Sequence, residues 1–424
     1  MNDERERLAR ELKTRSHDVG GHPFGMAEVR QRARGIVWRR RIATGAVAAA
    51  VLAVAVPAGL AATGGTDRGI GPINQPSPTV THGSPSPSPD QSPAPSPSPS
   101  PSPTFPAGAI PLTAVGAARG ADPGIIYLDG GVLHNGSMTE QLPAAYTDIA
   151  VYHGGWVALA AQNGDYSVVQ LDQDNRVTST QPGAAGLAVD GGGGRTAWFV
   201  AGASGQPGQL VQGIGTGMGE GQDSLPIPPG VTAHPVGYVR TGLVFETDGL
   251  HPQVSVTDFT PGTAEVWLKG ALGAGGASEA ANAISVQTKS TDFGSCWAVV
   301  DPGWTAGAVG HERWHTCDYS LGQFSLSGKY VAAYPAYVDG LGSSSVSILD
   351  ASTGKPVVTF QRPTDSDLYV TDVAWEDDTH LLAVVHEDGG WQILRLGTDG
   401  SIVAASPAVP GGDENRPFFF AARP

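Results

Sequence analysis

One short segment of the 424-residue sequence carries the residue types that zinc peptidases use. His311, Glu312 and His315 form the pattern HExxH, in which a helix places two imidazoles on one face as zinc ligands and the glutamate acts as base. Three glycines within the eight preceding residues disfavour that helix. On a strand, His311, Arg313 and His315 would instead share one polar face. We therefore predict no metal centre and no bound cofactor, and these two histidines with Glu312 are the metal-ligand candidates.

The other patterns associated with catalysis are incomplete. Ser352 and Lys355 satisfy SxxK, but they lie in an expected turn between strands rather than on a helix. Residues 213–221 alternate glycine without forming GxGxxG, and the series Asp172, Asp174, Arg176 departs from a calcium loop at the arginine. Because the sequence contains no credible catalytic set, we expect a non-enzymatic protein, although enzymatic activity stays an open alternative.

The two cysteines of the chain are Cys296 and Cys317. Twenty residues lie between them, so on adjacent or next-adjacent strands their side chains could meet. In an oxidising compartment the expected state is a disulfide. Free thiols or metal-binding thiols are the alternatives.

The elements that would position these residues are short strands. Residues 107–424 contain apolar stretches of four to seven residues, separated by Gly, Asp, Asn and Ser, with no sustained helical periodicity. Tyr146–Gln181 and Tyr369–Ser406 follow the same plan of four strands joined by polar turns. A four-stranded repeat of about 40 residues is typical of a β-propeller blade. Six tryptophans fall near strands, where we expect packing between blades rather than a carbohydrate platform: Trp156, Trp198, Trp267, Trp297, Trp375 and Trp391.

The repeat predicts an all-β propeller, most simply one of seven blades. Six complete blades are expected near residues 146–182, 187–229, 233–270, 283–322, 323–361 and 369–406. Gly124–Pro143 and Arg416–Arg423 supply further strands before and after these blades. Pairing the two ends in one sheet gives a composite seventh blade and hides the edges of an open ring. Six and eight blades are the alternatives.

One segment resembles a known repeat. Phe324–Ala332 (FSLSGKYVA) is similar to the FSPDGKxLA hairpin, with Leu326 and Ser327 departing from Pro-Asp, and Ile348–Lys355 is similar to the strand and turn that follow it. The chain thus resembles WD40-like and TolB-like propellers, and its overall plan is similar to uncharacterised single-pass bacterial membrane proteins. Because propellers host unrelated functions, the resemblance implies the fold and not an activity.

The N-terminal region predicts a membrane anchor. Ile42–Ala62 contains 21 residues without a charge, enough to span a hydrocarbon core of roughly 30 Å as a helix. A cleaved signal peptide is the alternative reading. Arg39, Arg40 and Arg41 abut this segment, which places residues 1–41 in the cytoplasm and the rest outside the cell membrane.

These sequence patterns together predict four regions. Residues 1–41 are a short basic cytoplasmic segment, 42–62 a transmembrane helix, 63–106 a disordered Pro/Ser-rich linker, and 107–424 an extracytoplasmic propeller domain. Repeated proline favours an extended spacer in the linker, and a proline-motif ligand is the alternative.

The distribution of charge limits the class of partner. Residues 1–41 carry 11 Lys/Arg and 6 Asp/Glu, whereas the remaining residues carry 14 and 34. Nucleic acid requires a basic surface, so we predict no nucleic-acid partner. The expected function is a membrane-anchored binding or scaffold module for a protein, peptide or glycan. The alternatives are a hydrolase or lyase with a site at the channel mouth, and a sensor that signals through residues 1–41. No oligomeric state is predicted.

Overall fold

A computed structural model describes residues 108–423, except 163–164, 215–220, 249–251, 261–265, 292–293, 306–310, 339–340 and 414. Within these residues the regular elements are all strands, numbered β1–β30. No part of the described residues forms a helix long and apolar enough to cross a membrane. The predicted transmembrane helix, the linker and the cytoplasmic segment lie outside the described residues.

The strands follow one another along the chain as follows. The first half comprises β1 (Ile110–Pro111), β2 (Tyr127–Asp129), β3 (Val132–Asn135), β4 (Met138–Gln141), β5 (Asp148–Tyr152), β6 (Gly155–Gln162), β7 (Asp165–Leu171), β8 (Val177–Pro182), β9 (Ala184–Val189), β10 (Arg195–Val200), β11 (Gly208–Ile214), β12 (Gln222–Ile227), β13 (Ala233–Val239), β14 (Gly242–Thr247), β15 (Gln253–Thr257) and β16 (Val266–Trp267). The second half comprises β17 (Gly273–Ser278), β18 (Ala283–Thr291), β19 (Gly294–Val300), β20 (Glu312–Thr316), β21 (Tyr319–Phe324), β22 (Tyr330–Pro335), β23 (Ser345–Asp350), β24 (Pro356–Gln361), β25 (Tyr369–Trp375), β26 (His380–Glu387), β27 (Gly390–Gly397), β28 (Ile402–Ala404), β29 (Val409–Pro410) and β30 (Phe418–Phe420).

These strands form seven sheets, the blades of a β-propeller, and the four strands of each blade pair antiparallel. Blades 1 to 6 each use four consecutive strands, beginning with β5, β9, β13, β17, β21 and β25. Seven hydrophobic clusters hold the ring together, and each joins the facing sides of two neighbouring blades. A four-stranded sheet with two apolar faces is buried by this stacking. The predicted fold and the predicted number of blades are therefore confirmed.

The seventh blade combines the two ends of the described chain, as predicted. Its strand order is β30-β2-β3-β4, so the C-terminal strand is innermost and the three N-terminal strands follow it outward. Tyr127 pairs with Phe420, and Asp129 pairs with Phe418. Phe418 is buried between blades 6 and 7. Ring closure therefore depends on one strand of three residues.

The predicted bounds of blade 4 were wrong. The sequence suggested residues 283–322, whereas the sheet comprises β17–β20 and begins at Gly273. Its inner strand reads GAGGAS, which lacks the apolar side chains that mark a strand. Glycine is required because the inner strands of blades 4 and 5 approach closely: a Cβ on Gly275 would lie 1.9 Å from the carbonyl oxygen of Leu321.

A segment that the sequence did not predict, the strap (residues 108–124), crosses the outer edges of blades 5 and 6. Its strand β1 pairs in parallel with β24, and Leu112 is fully buried in the cluster between these blades. The carboxylate of Glu387 accepts hydrogen bonds from the amides of Ala114 and Val115, at 2.6 and 3.1 Å. The Arg395 guanidinium donates to the carbonyl oxygen of Ala121 at 3.1 Å. The strap therefore covers two strand edges before the chain enters blade 7.

Candidate functional site

The HExxH residues lie on and beside the outermost strand of blade 4. Glu312–Thr316 is β20, and His311 directly precedes it. Four residues of a strand span about 13 Å, so the two imidazoles are too far apart to bind one zinc ion at bond lengths of about 2 Å. His315 Nδ1 instead lies 2.8 Å from Glu312 Oε1. In the described part of the chain, no three His, Cys, Asp or Glu side chains are grouped so as to hold a metal ion.

Two other sequence candidates lie in turns that an aspartate stabilises. Asp350 Oδ1 accepts hydrogen bonds from the Ser352 amide and hydroxyl, at 3.0 and 2.6 Å, so this serine caps a turn. Asp172 Oδ1 likewise accepts from the amides of Asp174 and Arg176, at 2.9 and 2.8 Å. Both arrangements are side-chain-to-backbone turns of the kind that aspartate favours. The Gly213–Gly221 stretch lies mostly outside the described residues.

The two cysteines form a disulfide between Cys296 on β19 and Cys317 just after β20. Trp297 pairs with Thr316 in the same ladder, so the cysteines occupy directly opposite positions on neighbouring strands. The bond closes the outer hairpin of blade 4.

A different region carries the features of a binding site: the hairpin face, where the first strand of each of blades 1–6 turns into the second. The turn of blade 2 reads Asp190-Gly-Gly-Gly-Gly-Arg195. Asp190 Oδ1 accepts hydrogen bonds from the amides of Gly194 and Arg195, at 2.7 and 3.0 Å. Asp190 Oδ2 receives one from Arg195 Nε at 2.8 Å. A buried carboxylate thus fixes a turn that has no side chains of its own at its tip.

Glu279, in the hairpin of blade 4, connects to this turn across blade 3. Its Oε1 lies 3.2 Å from Arg195 Nη2, and its Oε2 accepts a hydrogen bond from the Gly191 amide at 3.2 Å. Burial disfavours the charge on Arg195, but its hydrogen bond with Asp190 and the neighbouring carboxylates raise its pKa. The same guanidinium lies 4.6 Å above the ring of Tyr238. These contacts fix the hairpins of blades 2 to 4 relative to one another.

Arg240 lies beside this network, in the hairpin of blade 3. Its Nε and Nη2 donate to the carbonyl oxygens of Glu279 and Ala280, at 3.2 and 2.7 Å. Among the described residues, none of its hydrogen bonds or ion pairs is to a carboxylate. The side chain is held by backbone groups and keeps an uncompensated positive charge at the surface.

Two cavities open on either side of the glycine turn. The larger, about 310 Å³, is lined by hairpins of blades 2 to 5, including Gly191, Arg240, Ser278, Glu279 and Leu326. The smaller, about 190 Å³, is mostly apolar and is lined by blades 1, 2 and 7 with Gly192 and Gly193 of the same turn: Ile126, Ala150, Val151, Trp156, Val189 and Ala422. Concave surfaces with few polar groups are the usual sites of ligand binding.

Two interacting carboxylates, Asp148 on β5 and Asp372 on β25, lie on the innermost strands of blades 1 and 6, which surround the channel. Burial raises the pKa of Asp148 well above its usual value, and the charge of Asp372 raises it further. Asp372 Oδ2 lies 2.5 Å from Arg416 Nη2, whose guanidinium sits 4.4 Å above the ring of Phe419. One acid favoured in its protonated form beside a second that is paired with arginine is an arrangement that acid–base chemistry can use.

The sequence did not identify the hairpin face or the channel acids. Glu279 and Arg195 are 84 residues apart, and Asp148 and Asp372 lie on different blades. Bulges in the inner strands of blades 2 to 6 also alter which residues face the channel, at Gly186, Val236, Gly275 and Thr371, for example. The one sequence feature that could have indicated the hairpin face is the Asp190–Arg195 turn, in which four consecutive glycines lie between an aspartate and an arginine.

Comparisons with known proteins concern the fold. No family model and no curated protein matches the chain. It is similar to the β-propeller domain of the Trilobed protease from Pyrococcus furiosus, at 13% identity and a TM-score of 0.42, over 62% of this chain and 84% of that one. It is also similar to a protein of unknown function from Desulfotomaculum acetoxidans, at 11% identity and a TM-score of 0.41, over 70% of this chain and 99% of that one. The similarity to TolB from Acinetobacter baumannii has 15% identity and a TM-score of 0.38. It covers 57% of this chain and 63% of TolB, so the chain spans less than two thirds of TolB. The chain is thus a seven-bladed β-propeller by its own strand topology.

Proposed function

We propose that this protein is a membrane-anchored binding module whose propeller lies outside the cytoplasm and holds a protein, peptide or glycan at the hairpin face. The observation that supports it is the pair of cavities, of about 310 and 190 Å³, on either side of one rigidly held turn. The aspartate, glutamate and arginine contacts described above keep this surface ordered without a ligand. Such preorganisation lowers the entropic cost of binding.

Site-specific photo-crosslinking in the native cell tests the proposed surface. A benzophenone residue replaces Leu326, which is 43% exposed at the larger cavity. The matched control replaces Val177, which is 51% exposed on the outer edge of blade 1. We expect covalent adducts from position 326 and none from position 177. Equal labelling at both positions, or none at either, would contradict binding at the hairpin face.

The anchored, extracytoplasmic location rests on the apolar segment and the arginines before it. A protease added to intact cells should digest an epitope tag inserted before Gly108 and spare a tag at the N-terminus. Protection of both tags would rule out this topology.

A hydrolase or lyase with its site in the channel is a second candidate, favoured by Asp148 and Asp372. A carboxyl group whose pKa is raised, beside a second carboxylate that is paired with arginine, is an arrangement that general acid and base catalysis can use. Incubation of the full chain with cell-wall polysaccharide, followed by assay of new reducing ends or unsaturated products, tests it. Activity that is lost in Asp148→Asn and in Asp372→Asn would replace the binding proposal.

A further inference from the structure

The two cavities of the hairpin face are neighbours along a single turn. Gly191 lines the larger cavity, and Gly192 and Gly193 line the smaller. Consecutive Cα atoms are 3.8 Å apart, so the cavities open within a distance on the order of 10 Å of each other. An extended peptide places alternate side chains on one face about 7 Å apart. A ligand of two or three extended residues therefore reaches both cavities.

The top of this turn is open. Added Cβ atoms on Gly192 and Gly193 would meet no atom within 4 Å. Because neither glycine has a side chain, another backbone can lie directly across the turn. Hydrogen bonds from the Gly191 amide to Glu279 and from the Gly194 amide to Asp190 hold the two ends of the turn.

The smaller cavity fits one large apolar side chain. Its walls are the aliphatic and aromatic side chains of three blades, among them Val151, Trp156 and Val189. A cavity of about 150 Å³ with apolar walls holds a benzene molecule. The 190 Å³ available here therefore accommodates the side chain of leucine, methionine or phenylalanine.

The larger cavity favours a carboxylate. Arg240 is fixed at its rim by two backbone carbonyls and is not neutralised by a carboxylate of the described residues. Ser278, at the same cavity, accepts a hydrogen bond from the Ala281 amide at 3.1 Å and can donate its hydroxyl hydrogen to a ligand. The carboxylate of Glu279, which also lines this cavity, is paired with Arg195 and the Gly191 amide and not with Arg240. The charge complementarity at this rim is therefore with an anion.

From these features we infer that the hairpin face binds an extended peptide segment of another protein, with a large apolar residue two positions from an acidic residue. The apolar side chain enters the smaller cavity, the backbone crosses Gly192 and Gly193, and the carboxylate meets Arg240 and Ser278. The inference rests on the proposed binding function and specifies its ligand.

A displayed library of random nonapeptides, selected on the full chain in lipid nanodiscs, tests the inference. We expect enriched peptides that share a large apolar residue and an acidic residue at this spacing. A synthetic consensus peptide should lose about tenfold in affinity, measured by fluorescence polarisation, when its acidic residue becomes the amide. Arg240→Gln should cause the same loss with the acidic peptide and almost none with the amide peptide.

Two variants that keep the fold complete the design. Gly192→Phe blocks the smaller cavity at a position with room for a side chain, and we expect at least a tenfold loss. Gly412→Phe is the matched control, since an added Cβ there also meets no atom within 4 Å, and Arg176→Gln is the control for loss of an exposed charge.

The outcomes separate the inference from the proposal beneath it. A library without the expected pattern, or a consensus peptide that binds Arg240→Gln and Gly192→Phe as well as the unaltered chain, would overturn the inference. Adducts at position 326 would then still support a binding module for a different ligand class. If no peptide were enriched and no adduct formed at position 326, both the peptide inference and the proposed binding function would be contradicted.

Discussion

The innermost strand of blade 7 offers the sharpest test of the fold. Phe418 is 2% exposed and packs between blades 6 and 7, with its ring edge-on to Tyr127 at a centroid distance of 6.3 Å. Core Phe→Ala substitutions cost about 3–5 kcal/mol, through lost burial and the cavity left behind. At roughly 2–3 °C per kcal/mol for a domain of this size, Phe418→Ala should lower the thermal midpoint by about 6–15 °C.

The neighbouring residue supplies the control. Phe419 lies on the same strand, half-buried against the cluster between blades 7 and 1, with the Arg416 guanidinium over its ring. Because less of this side chain is packed between blades, Phe419→Ala should have a smaller effect. Circular dichroism of the full chain during heating measures both variants. An unchanged midpoint for Phe418→Ala would show that β30 does not close the ring and would refute the composite blade.

Three further predictions concern other parts of the propeller. Replacing both Cys296 and Cys317 with serine should lower the free energy of unfolding, measured in urea, by roughly 3 kcal/mol. Adding a reductant to the unaltered chain should lower it by the same amount. Gly275→Ala should prevent recovery of folded protein because of the 1.9 Å approach to a carbonyl oxygen, whereas Gly412→Ala should be neutral; equal yields would contradict the close packing of the inner strands. The pKa of Asp148 is raised by burial, so the stability it contributes is complete below the unfolded value of 3.8 and falls as the pH rises through the folded value. Asp148→Asn should therefore raise the thermal midpoint at pH 7 and not at pH 3.

The sequence predicted the blades where turn chemistry and apolar stretches agree. The turn after β26 is an example, since Asp388 and Gly389 adopt the left-handed conformation, with φ of 51° and 73°, that Asp-Gly sequences favour. Seven blades followed from the four-strand repeat and from the strands left over at the two ends. The FSLSGKYVA segment forms the turn from β21 to β22, but the predicted boundary between residues 322 and 323 divided β21, which belongs wholly to blade 5.

The sequence did not predict elements that depend on contacts between distant residues. The strand β17 consists of glycine, alanine and serine, and it forms because its backbone packs against that of blade 5. The strap forms a strand only at Ile110–Pro111, where it pairs with β24 and the next residue, Leu112, is buried between blades 5 and 6. The channel acids and the Glu279–Arg195 contact arise from ring closure, which brings together side chains from separate repeats.

The path of the strap determines how a pull on its N-terminal end would reach the ring. Force applied at residue 108 first separates the two-residue strand β1 from β24, and then the Glu387 and Arg395 contacts in turn. The three strands that the chain contributes to blade 7 feel the load only after those attachments have failed. The 17 residues of the strap, 108–124, would therefore be pulled out before the load reached the seven sheets.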